Sequence, residues 1–178
     1  MRDGIDSGQP GANNAAVSGR IAAILKTAVF TVLAPGTVAG YVPWRLRHTS
    51  VVQVGVVQRW AACAVIALGC AIYFHTAFWG FAMIGGGTPA PIAPPKMLVV
   101  RGLHRFVRNP MYIGVLLIVA GQVWLFWSRS LFLYVALLWS AFHLFVLIYE
   151  EPTLQKEFGE SYERYRAGVP RWIPRIRL

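Results

Sequence analysis

The sequence predicts an all-α integral membrane protein, a helical bundle with about four transmembrane helices followed by a C-terminal amphipathic cytoplasmic helix. Of the 178 residues, 56% are hydrophobic and only 13% are charged, a balance outside the usual range of soluble domains. Four long apolar runs cover residues 21–42, 60–84, 111–127 and 131–149. These runs lack the alternation of a membrane β-barrel, and a backbone inside the bilayer must satisfy its own hydrogen bonds, so helices are the predicted spanning elements.

The N-terminal part of the chain predicts a tail followed by two transmembrane helices within residues 20–84. Residues 1–19 are rich in Gly, Asn, Ser and Ala and offer few large apolar side chains to bury, so we expect a disordered tail. The first apolar run is too long for the core of a signal peptide, and no clean small-residue cleavage site follows it. We therefore predict a membrane helix there, bent at Pro35-Gly36.

The third and fourth apolar runs predict an antiparallel helical hairpin. Only Ser128-Arg129-Ser130 separates them, and a link this short can do little except reverse the chain. Arg108 and Glu150 each lie 21 residues from Arg129, so the outer ends of the hairpin are expected to meet at one depth. Both helices are short against a hydrocarbon core of about 30 Å, which brings their polar ends to a membrane face.

The C-terminal stretch predicts an amphipathic helix that lies on the membrane or over the bundle. Leu154, Phe158, Tyr162 and Tyr165 recur at helical spacing, while charged residues fill the other faces. Such a helix is placed to act as a lid. The final segment, residues 170–175, combines an indole with arginines, and we interpret it as an interfacial anchor.

The distribution of Arg and Lys predicts the orientation in the membrane. With four spans, the N-terminus, the loop of residues 85–109 and the C-terminal tail share one side, which holds twelve Arg and Lys residues against four on the other. The positive-inside rule then places both termini and the polar end of the hairpin in the cytoplasm. A net charge of +10 that flanks hydrophobic spans, without a compact basic module, indicates membrane lipids with anionic headgroups as partners rather than nucleic acid.

The start of the third apolar run is a candidate anion-binding end. Asn109 is a favoured N-cap residue, and Pro110 at the first helical position has no N–H to leave unsatisfied. A helix start carries partial positive charge, and the planar guanidinium of Arg108 adds a full one, so the place suits a carboxylate or a phosphate. Tyr112 lies nearby in the first turn and offers a ring face and a hydroxyl.

The end of the fourth run carries two adjacent carboxylates, Glu150 and Glu151, where the helix dipole disfavours negative charge. Pro152 is expected to bend or end this helix. The carboxylates need partners, either Arg108 or a ligand that brings an ammonium, a sulfonium or a ribose diol. The alternative is a purely structural salt bridge that ties the hairpin shut, but charged groups at membrane depth are costly enough to favour function.

His143 lies two turns before Glu150, on the same face of the fourth helix. A lone His on an apolar helix is usually a hydrogen-bonded packing residue, and a role as ligand or base is the alternative. The four histidines of the chain show no metal-ligand spacing, so we predict no metal site.

Four short motifs, in order and at matching spacing, carry a family resemblance. They are Arg108-Asn109-Pro110-Met111-Tyr112-Ile113-Gly114, Glu150-Glu151 with Leu154, Phe158-Gly159-Glu160-Ser161-Tyr162 with Tyr165, and Val169-Pro170. Together they resemble the isoprenylcysteine carboxyl methyltransferase and phospholipid N-methyltransferase superfamily of integral membrane enzymes. The resemblance covers residues 87–175, half of the chain, and makes residues 85–178 the expected methyltransferase core.

The resemblance implies S-adenosyl-L-methionine as cofactor, held between the third and fourth helices and the C-terminal tail, with a lipophilic or lipidated acceptor that enters from the bilayer. It implies catalytic roles for Arg108 and Glu151. In this scheme the two glutamates hold positive or hydroxyl groups of the cofactor, and Arg108 faces its carboxylate or an anionic substrate. The cofactor-binding residues that it implies are Gly102, His104, Arg108, Asn109, Pro110, Tyr112, Gly114, Glu150, Glu151 and Leu154.

Two departures from the family pattern bear on the acceptor. Eukaryotic protein-methylating members commonly have His at the position of Asn109, and many members have Tyr where this chain has His104. Asn is a familiar variant among bacterial relatives, which indicates a bacterial inner membrane and leaves the acceptor open. A prenylated protein, an aminophospholipid, a quinone-like lipid and a small lipophilic thiol all fit. An amine acceptor must first lose a proton, for which Glu151, Glu150 or His143 is the candidate base.

Two other functions fit the same residues. Related membrane folds include NADPH-dependent sterol and steroid reductases, and the basic loop before the third helix is suited to a nicotinamide phosphate. The second is a non-catalytic membrane scaffold, in which Arg108 and the glutamates form only a structural clamp. The sequence carries no signal for the oligomeric state.

Overall fold

The computed structural model describes residues 10–47, 54–78, 98 and 100–174. Within these ranges every regular element is a helix, which confirms the predicted fold class. In chain order the elements are α1 (Pro10–Leu33), a π-helical turn (Thr37–Tyr41), α2 (Val42–Leu46), α3 (Val56–Phe74), a 3₁₀ turn (Gly102–Arg105), α4 (Pro110–Phe126), α5 (Arg129–Phe145), a second π-helical turn (Val146–Glu150), α6 (Glu151–Phe158) and α7 (Glu160–Gly168).

Three stretches of the described chain are long and apolar enough to cross a membrane. They are Ile21–Leu46, Val56–Phe78 and Arg129–Phe158. The remaining predicted span, α4, is present and apolar but has only 17 residues, which at about 1.5 Å per residue is about 26 Å, short of a hydrocarbon core of about 30 Å. The structure therefore supports an integral membrane bundle with three candidate full spans and one shorter apolar helix.

α1 begins earlier than the sequence predicts. The expected tail covers residues 1–19, but the helix starts at Pro10, and residues 1–9 lie outside the described part of the chain. Proline is well suited to the first turn of a helix, where its missing N–H leaves no bond unmade, and the alanines that follow favour helix. Residues 10–19 are therefore helical and precede the candidate span Ile21–Leu46, and the separation of a tail from the membrane part stays a prediction.

The regular helix α1 ends at Leu33, two residues before Pro35, and a π-helical turn begins at Thr37, while the predicted bend at Pro35-Gly36 stays a prediction. Proline and the wider turn leave carbonyl groups without their usual helical donors. Two side chains of the α4–α5 hairpin supply donors: Nε2 of Gln122 donates to the carbonyl of Ala39 at 2.7 Å, and the hydroxyl of Tyr134 donates to that of Val38 at 2.8 Å. The interruption thereby becomes an attachment point between the first helix and the hairpin.

α3 and α4 pack with unusually close backbones. A Cβ added at Gly69 would lie 2.7 Å from the carbonyl oxygen of Gly114, and one at Gly121 would lie 2.6 Å from Cγ1 of Ile66. Glycine at these positions lets the two backbones touch, a common device where apolar burial cannot drive helix association in lipid. This contact fixes α4, and with it the start of α4 at Pro110, against α3.

The α4–α5 turn is as tight as predicted. Trp127 adopts a left-handed conformation at φ 49°, and the side chain of Ser128 accepts a hydrogen bond of 3.4 Å from the backbone of Leu131 to cap α5. α5 then begins at Arg129, two residues earlier than a three-residue link implies. The two helices run antiparallel, which confirms the predicted hairpin and returns Glu150 to the level of Arg108.

The helix that begins with α5 does not end at Pro152, where the sequence predicts a bend or an end. α5 passes through the second π-helical turn directly into α6, and Pro152 occupies the first turn of α6, where a missing N–H is tolerated. The break comes later, at Gly159, whose positive φ of 51° separates α6 from α7. The predicted single amphipathic helix is therefore two short helices joined at a glycine.

Candidate functional site

The two ends of the α4–α5 hairpin meet in an ion pair. Nη1 of Arg108, just before α4, lies 3.1 Å from Oε1 of Glu151, the first residue of α6, and both side chains are about nine-tenths buried. The sequence predicts this meeting from the equal spacing around Arg129, although it does not decide which glutamate pairs with the arginine. The structure selects Glu151.

Arg171 is the second partner of Glu151. Its Nε donates to Oε1 at 2.6 Å and its Nη2 donates to Oε2 at 3.0 Å, a two-bond geometry that only a planar guanidinium offers. The sequence assigns Arg171 to an interfacial anchor, and that role stays a prediction beside the contact with Glu151. The segment lies against the hairpin, where donors are available to its backbone carbonyls.

Those donors come from the residues that precede α4. The backbone N–H of Arg108 donates to the carbonyl of Pro170 at 2.9 Å, and Nδ2 of Asn109 donates to the carbonyl of Arg171 at 3.2 Å. Asn109 occupies the N-cap position, but its side chain makes no capping hydrogen bond, so the predicted side-chain cap is wrong. Pro110 occupies the first turn of α4 and is buried, as predicted.

Glu150 has a different environment from Glu151. It lies in the second π-helical turn, and its Oε2 accepts a hydrogen bond of 2.9 Å from the hydroxyl of Tyr112. The ring of Tyr112 packs on Phe142 of α5 with a centroid distance of 4.7 Å, which holds the phenol in place. One glutamate is therefore paired with two arginines and its neighbour with a neutral hydroxyl.

Two tyrosines of α7 complete the wall of the site. The hydroxyl of Tyr162, a residue only 1% exposed, accepts a hydrogen bond of 3.3 Å from Nη1 of Arg108, and the hydroxyl of Tyr165 donates to the backbone carbonyl of His104 at 2.8 Å. Burial raises the pKa of both tyrosines, so they remain neutral hydroxyls at physiological pH. The hydrogen bonds to Glu151 raise the pKa of Arg171, which keeps that guanidinium charged.

The 3₁₀ turn brings Gly102 and His104 to the border of the site. Gly102 has a positive φ of 58°, which favours glycine, and a Cβ there would lie 3.1 Å from Nε2 of His75. Burial lowers the pKa of the His104 imidazole to about 4, so this histidine is neutral at pH 7. Gly102 thus lies next to His75 at the end of α3, and the carbonyl of His104 is bonded to Tyr165 of α7.

The other predicted site residues lie at different distances from the ion pair. Arg108, Asn109, Pro110, Tyr112, Glu150 and Glu151 come together at the end of the hairpin. Gly114 faces α3, and that helix contact already requires a glycine, so its assignment to the cofactor stays a prediction. Leu154 is half-buried on α6, one turn from Glu150, and its role likewise stays a prediction.

His143 packs between aromatic rings. It stacks on Trp139 with a centroid distance of 5.2 Å and an interplanar angle of 10°, and its Nδ1 accepts a hydrogen bond of 3.0 Å from the indole of Trp172. Of the two roles that the sequence leaves open, the contacts favour packing. Trp172, expected at the lipid interface, instead fastens the C-terminal segment to α5.

The sequence does not identify Arg171 as a site residue, and it assigns Tyr162 and Tyr165 to the amphipathic helix and to a family motif but not to the site. The helical spacing of Tyr162 and Tyr165 is the signal that places them on the covering face of α7. Arg171 offers no such signal, because it lies 20 residues from Glu151 in a segment without regular structure.

Two buried polar atoms beside the ion pair have no hydrogen-bond partner in the described part of the chain. They are Nε of Arg108, a donor, and Oε1 of Gln155, an acceptor. Buried polar groups are nearly always paired in folded proteins, so each such atom calls for an explanation, and a ligand is one. The site thus combines a compensated carboxylate, a second carboxylate on a phenol, and unused hydrogen-bonding capacity.

The fold and the site together define a class of protein: a helical membrane protein with a buried, charged site where a hairpin of α-helices meets its own C-terminal segment. The family model described as "Phospholipid methyltransferase" matches residues 57–161, more than half of the chain. The chain therefore belongs to the phospholipid methyltransferase family, which confirms the superfamily resemblance.

Two relatives are similar over less than half of the chain. One is the protein-S-isoprenylcysteine O-methyltransferase of Schizosaccharomyces pombe, 37% identical over 81 residues, which are 45% of this chain and 34% of the relative. The other is methanethiol S-methyltransferase 2 of Bradyrhizobium diazoefficiens, 36% identical over 78 residues, which are 42% of this chain and 27% of the relative. The matches thus span only a third or less of these relatives. No solved structure matches the chain.

Proposed function

We propose that this protein is an integral membrane methyltransferase that uses S-adenosyl-L-methionine and acts on a lipophilic acceptor. The family supplies the reaction class. The observation that supports the proposed cofactor is a charged cluster next to the C-terminal segment. In this cluster Arg108, Glu151 and Arg171 meet beside the pair formed by Tyr112 and Glu150.

The chemistry of this cluster fits the cofactor. S-adenosylmethionine carries a carboxylate, an ammonium and a ribose diol, and when bound it supplies an electrophilic methyl group on its sulfonium. Arg108 retains a buried Nε donor for an anionic group. Glu150 has one oxygen held by Tyr112 and a second that suits a hydroxyl or a cation. These residues would hold the polar groups of the cofactor in a fixed position.

Enclosure of the site supports a methyl transfer. An in-line displacement needs alignment of its partners and the exclusion of water. Tyr162 is 1% exposed and Glu151 is 8% exposed, so little water reaches the walls of the site. In this proposal Arg108 touches the cofactor or an anionic acceptor directly, and Glu151 holds Arg108 in position as well as contributing charge.

The partners of the candidate bases distinguish among them. Both oxygens of Glu151 are engaged by arginines, and Nδ1 of His143 is occupied by the indole of Trp172. Glu150 pairs only with a neutral phenol among the contacts of the described chain. For an amine acceptor, which must lose a proton before it attacks, we therefore assign the base to Glu150. A carboxylate acceptor needs no base.

The acceptor is proposed from the membrane setting and from the relatives. The chain has three candidate membrane spans, and the names of the family and of the yeast relative refer to a phospholipid and to a lipidated cysteine. An isoprenylcysteine-type carboxylate and a phospholipid amine are the acceptors to test first. The methanethiol enzyme of Bradyrhizobium adds a small thiol to that screen.

The proposed location is a bacterial inner membrane, with both termini and the cofactor site on the cytoplasmic side. The excess of Arg and Lys in the loop before α4 and in the C-terminal region supports this orientation. Reporter fusions at the two termini, one active only in the cytoplasm and one active only outside it, test it directly. External activity of either fusion would contradict the proposal.

The test of the function is thermal stability of the purified protein in detergent, with S-adenosylmethionine, S-adenosylhomocysteine or NADPH added separately. A ligand that binds only the folded state raises the apparent melting temperature. We expect a rise with the two adenosyl ligands and none with NADPH. The rise should be lost in Glu150→Ala and kept in Glu163→Gln, which removes a half-exposed carboxylate of α7 outside the site.

The alternatives give different results in the same experiment. A rise with NADPH alone would support a reductase. No rise with any ligand would support the scaffold, in which Arg108, Glu151 and Arg171 only clamp the two ends of the hairpin to the C-terminal segment.

A further inference from the structure

The two unpaired atoms belong to residues that neighbour Glu151. Nη1 of Arg108 lies 3.1 Å from Oε1 of Glu151, and its Nε remains without a partner among the described residues. Gln155 lies one helical turn after Glu151 and therefore on the same face of α6. Its Oε1 is buried and likewise unpaired among the described residues. The ion-pair partner of Glu151 thus has a spare buried donor, and the residue one turn after Glu151 has a spare buried acceptor.

A ligand that satisfies both atoms must bring opposite hydrogen-bonding groups. The Nε–H of an arginine carries part of the guanidinium charge and prefers a carboxylate. An amide oxygen in a region of carboxylates, with Glu150 and Glu151 in the turn before it, prefers a cationic donor such as an ammonium. An α-amino acid carries a carboxylate and an ammonium on one carbon, so it matches this pair.

Glu151 itself is poorly placed to receive that ammonium. Arg171 donates hydrogen bonds to both of its oxygens, at 2.6 and 3.0 Å, and Arg108 forms an ion pair with Oε1. Gln155 therefore offers an acceptor that the surrounding protein leaves unused, and it stands where an amino-acid group could lie between α6 and Arg108.

We propose that Gln155 binds the α-ammonium of the methionine end of S-adenosylmethionine, while Nε of Arg108 binds its carboxylate. This inference rests on the proposed function and deepens it, because it makes Gln155 a specificity-determining residue. Gln155 then selects a nucleoside that carries an amino-acid tail over one that carries only phosphates.

The first experiment measures the dissociation constant of S-adenosylhomocysteine in detergent by titration calorimetry. The variants are Gln155→Leu and, as a matched control, Gln58→Leu, which makes the same change at the opposite end of the bundle, where Nε2 of Gln58 donates to the carbonyl of Trp124. We expect binding to be weakened about 10-fold in Gln155→Leu and unchanged in the control. Equal affinity in the wild type and Gln155→Leu would overturn the inference.

The second experiment identifies the group of the ligand that Gln155 contacts. The probe is the analogue of S-adenosylhomocysteine that lacks only the α-amino group, a thioether of adenosine with a carboxypropyl chain. Gln155→Leu should bind this analogue as well as the wild type does, because the contact is already missing. An equal loss for both ligands would place the effect of Gln155 elsewhere and would overturn the assignment to the ammonium.

A conservative variant covers the case in which Gln155→Leu does not fold. Gln155→Glu keeps an acceptor and adds a negative charge, so S-adenosylhomocysteine should bind at least as tightly as to the wild type, and the analogue without the amino group more weakly. The reverse order would contradict the inference. The results distinguish failure of the proposed function from failure of this inference. If the wild type does not bind S-adenosylhomocysteine, both are refuted. If the wild type and Gln155→Leu bind it with equal affinity, only the inference is refuted.

Discussion

Arg171 holds both carboxylate oxygens of Glu151, with hydrogen bonds of 2.6 and 3.0 Å that join two residues 20 positions apart. Arg108 approaches the same carboxylate from the start of α4. Glu151 therefore connects three parts of the chain: the start of the hairpin, its end, and the C-terminal segment. A carboxylate with two cationic partners tolerates burial that it could not tolerate alone.

Replacement of Arg171 by methionine tests this connection. Arg171→Met leaves Glu151 with one cationic partner and removes the side chain that fastens the C-terminal segment, so we expect the free energy of unfolding to fall by about 1–3 kcal/mol. Denaturation in detergent, followed by the fluorescence of the tryptophans, measures the change. Arg164→Met is the matched control, because Arg164 is exposed on α7, and it should change stability by no more than about 0.5 kcal/mol. Equal effects of the two variants would argue against the connection.

The hydrogen bond from Tyr112 to Glu150 gives a second prediction. Tyr112→Phe keeps the ring contact with Phe142 but leaves a buried carboxylate oxygen without its donor, so stability should fall by about 1–3 kcal/mol. Affinity for S-adenosylhomocysteine should also fall, because the free carboxylate is no longer held in position. Tyr149→Phe is the control on the same hairpin, since Tyr149 is half-exposed. A Tyr112→Phe protein with wild-type stability and affinity would refute the prediction.

Gly114 gives a third prediction, which separates helix packing from cofactor binding. A Cβ at Gly114 would lie 2.8 Å from the backbone nitrogen of Tyr73 and 2.9 Å from the carbonyl oxygen of Gly69, so α3 and α4 must move apart in Gly114→Ala. We expect a loss of about 1–3 kcal/mol in thermal or chemical unfolding. Gly40→Ala, where a Cβ meets nothing within 4 Å, should show no loss from crowding. Weaker cofactor binding at unchanged stability would instead support the ligand role.

The features that depend only on residues close in the sequence were predictable. Long apolar runs in a bilayer have few alternatives to helices, and a link as short as that around Arg129 forces an antiparallel pair. The same logic brought Arg108 to the level of the glutamates. Pro35 and Pro110 act through their own rings and missing N–H groups, so their effects on the first membrane helix and on the start of α4 were also readable.

The features that depend on distant partners were not predictable in the same way. Local rules predict that the side chain of Asn109 caps α4. In the structure this side chain donates to a backbone carbonyl of the C-terminal segment and makes no capping hydrogen bond. Pro152 breaks a regular helix, yet a preceding π-helical turn lets the chain continue. Arg171 and Trp172 have the composition of an interfacial anchor, and only the folded chain brings them to Glu151 and His143. For Asn109, Arg171 and Trp172 a long-range contact overrides a local preference.

The last prediction concerns acidity and His104. Burial lowers the pKa of His104 from its ordinary value of 6.5 to about 4, so the folded state holds the imidazole neutral while the unfolded chain takes up a proton near pH 6.5. The contribution of this group to stability is complete above pH 6.5 and is lost as the pH falls toward 4, by at most about 1.4 kcal/mol for each pH unit.

Melting temperatures in detergent at pH 7.5, 6.0 and 5.0 measure this dependence. We expect the wild type to lose stability steadily on acidification and His104→Gln, which cannot take up a proton, to lose less over the same interval. The comparison is between slopes, because the substitution also changes packing next to Tyr165, whose hydroxyl donates to the backbone carbonyl of residue 104 and not to its side chain. Identical slopes in the two proteins would show that His104 takes up its proton without opposing the fold.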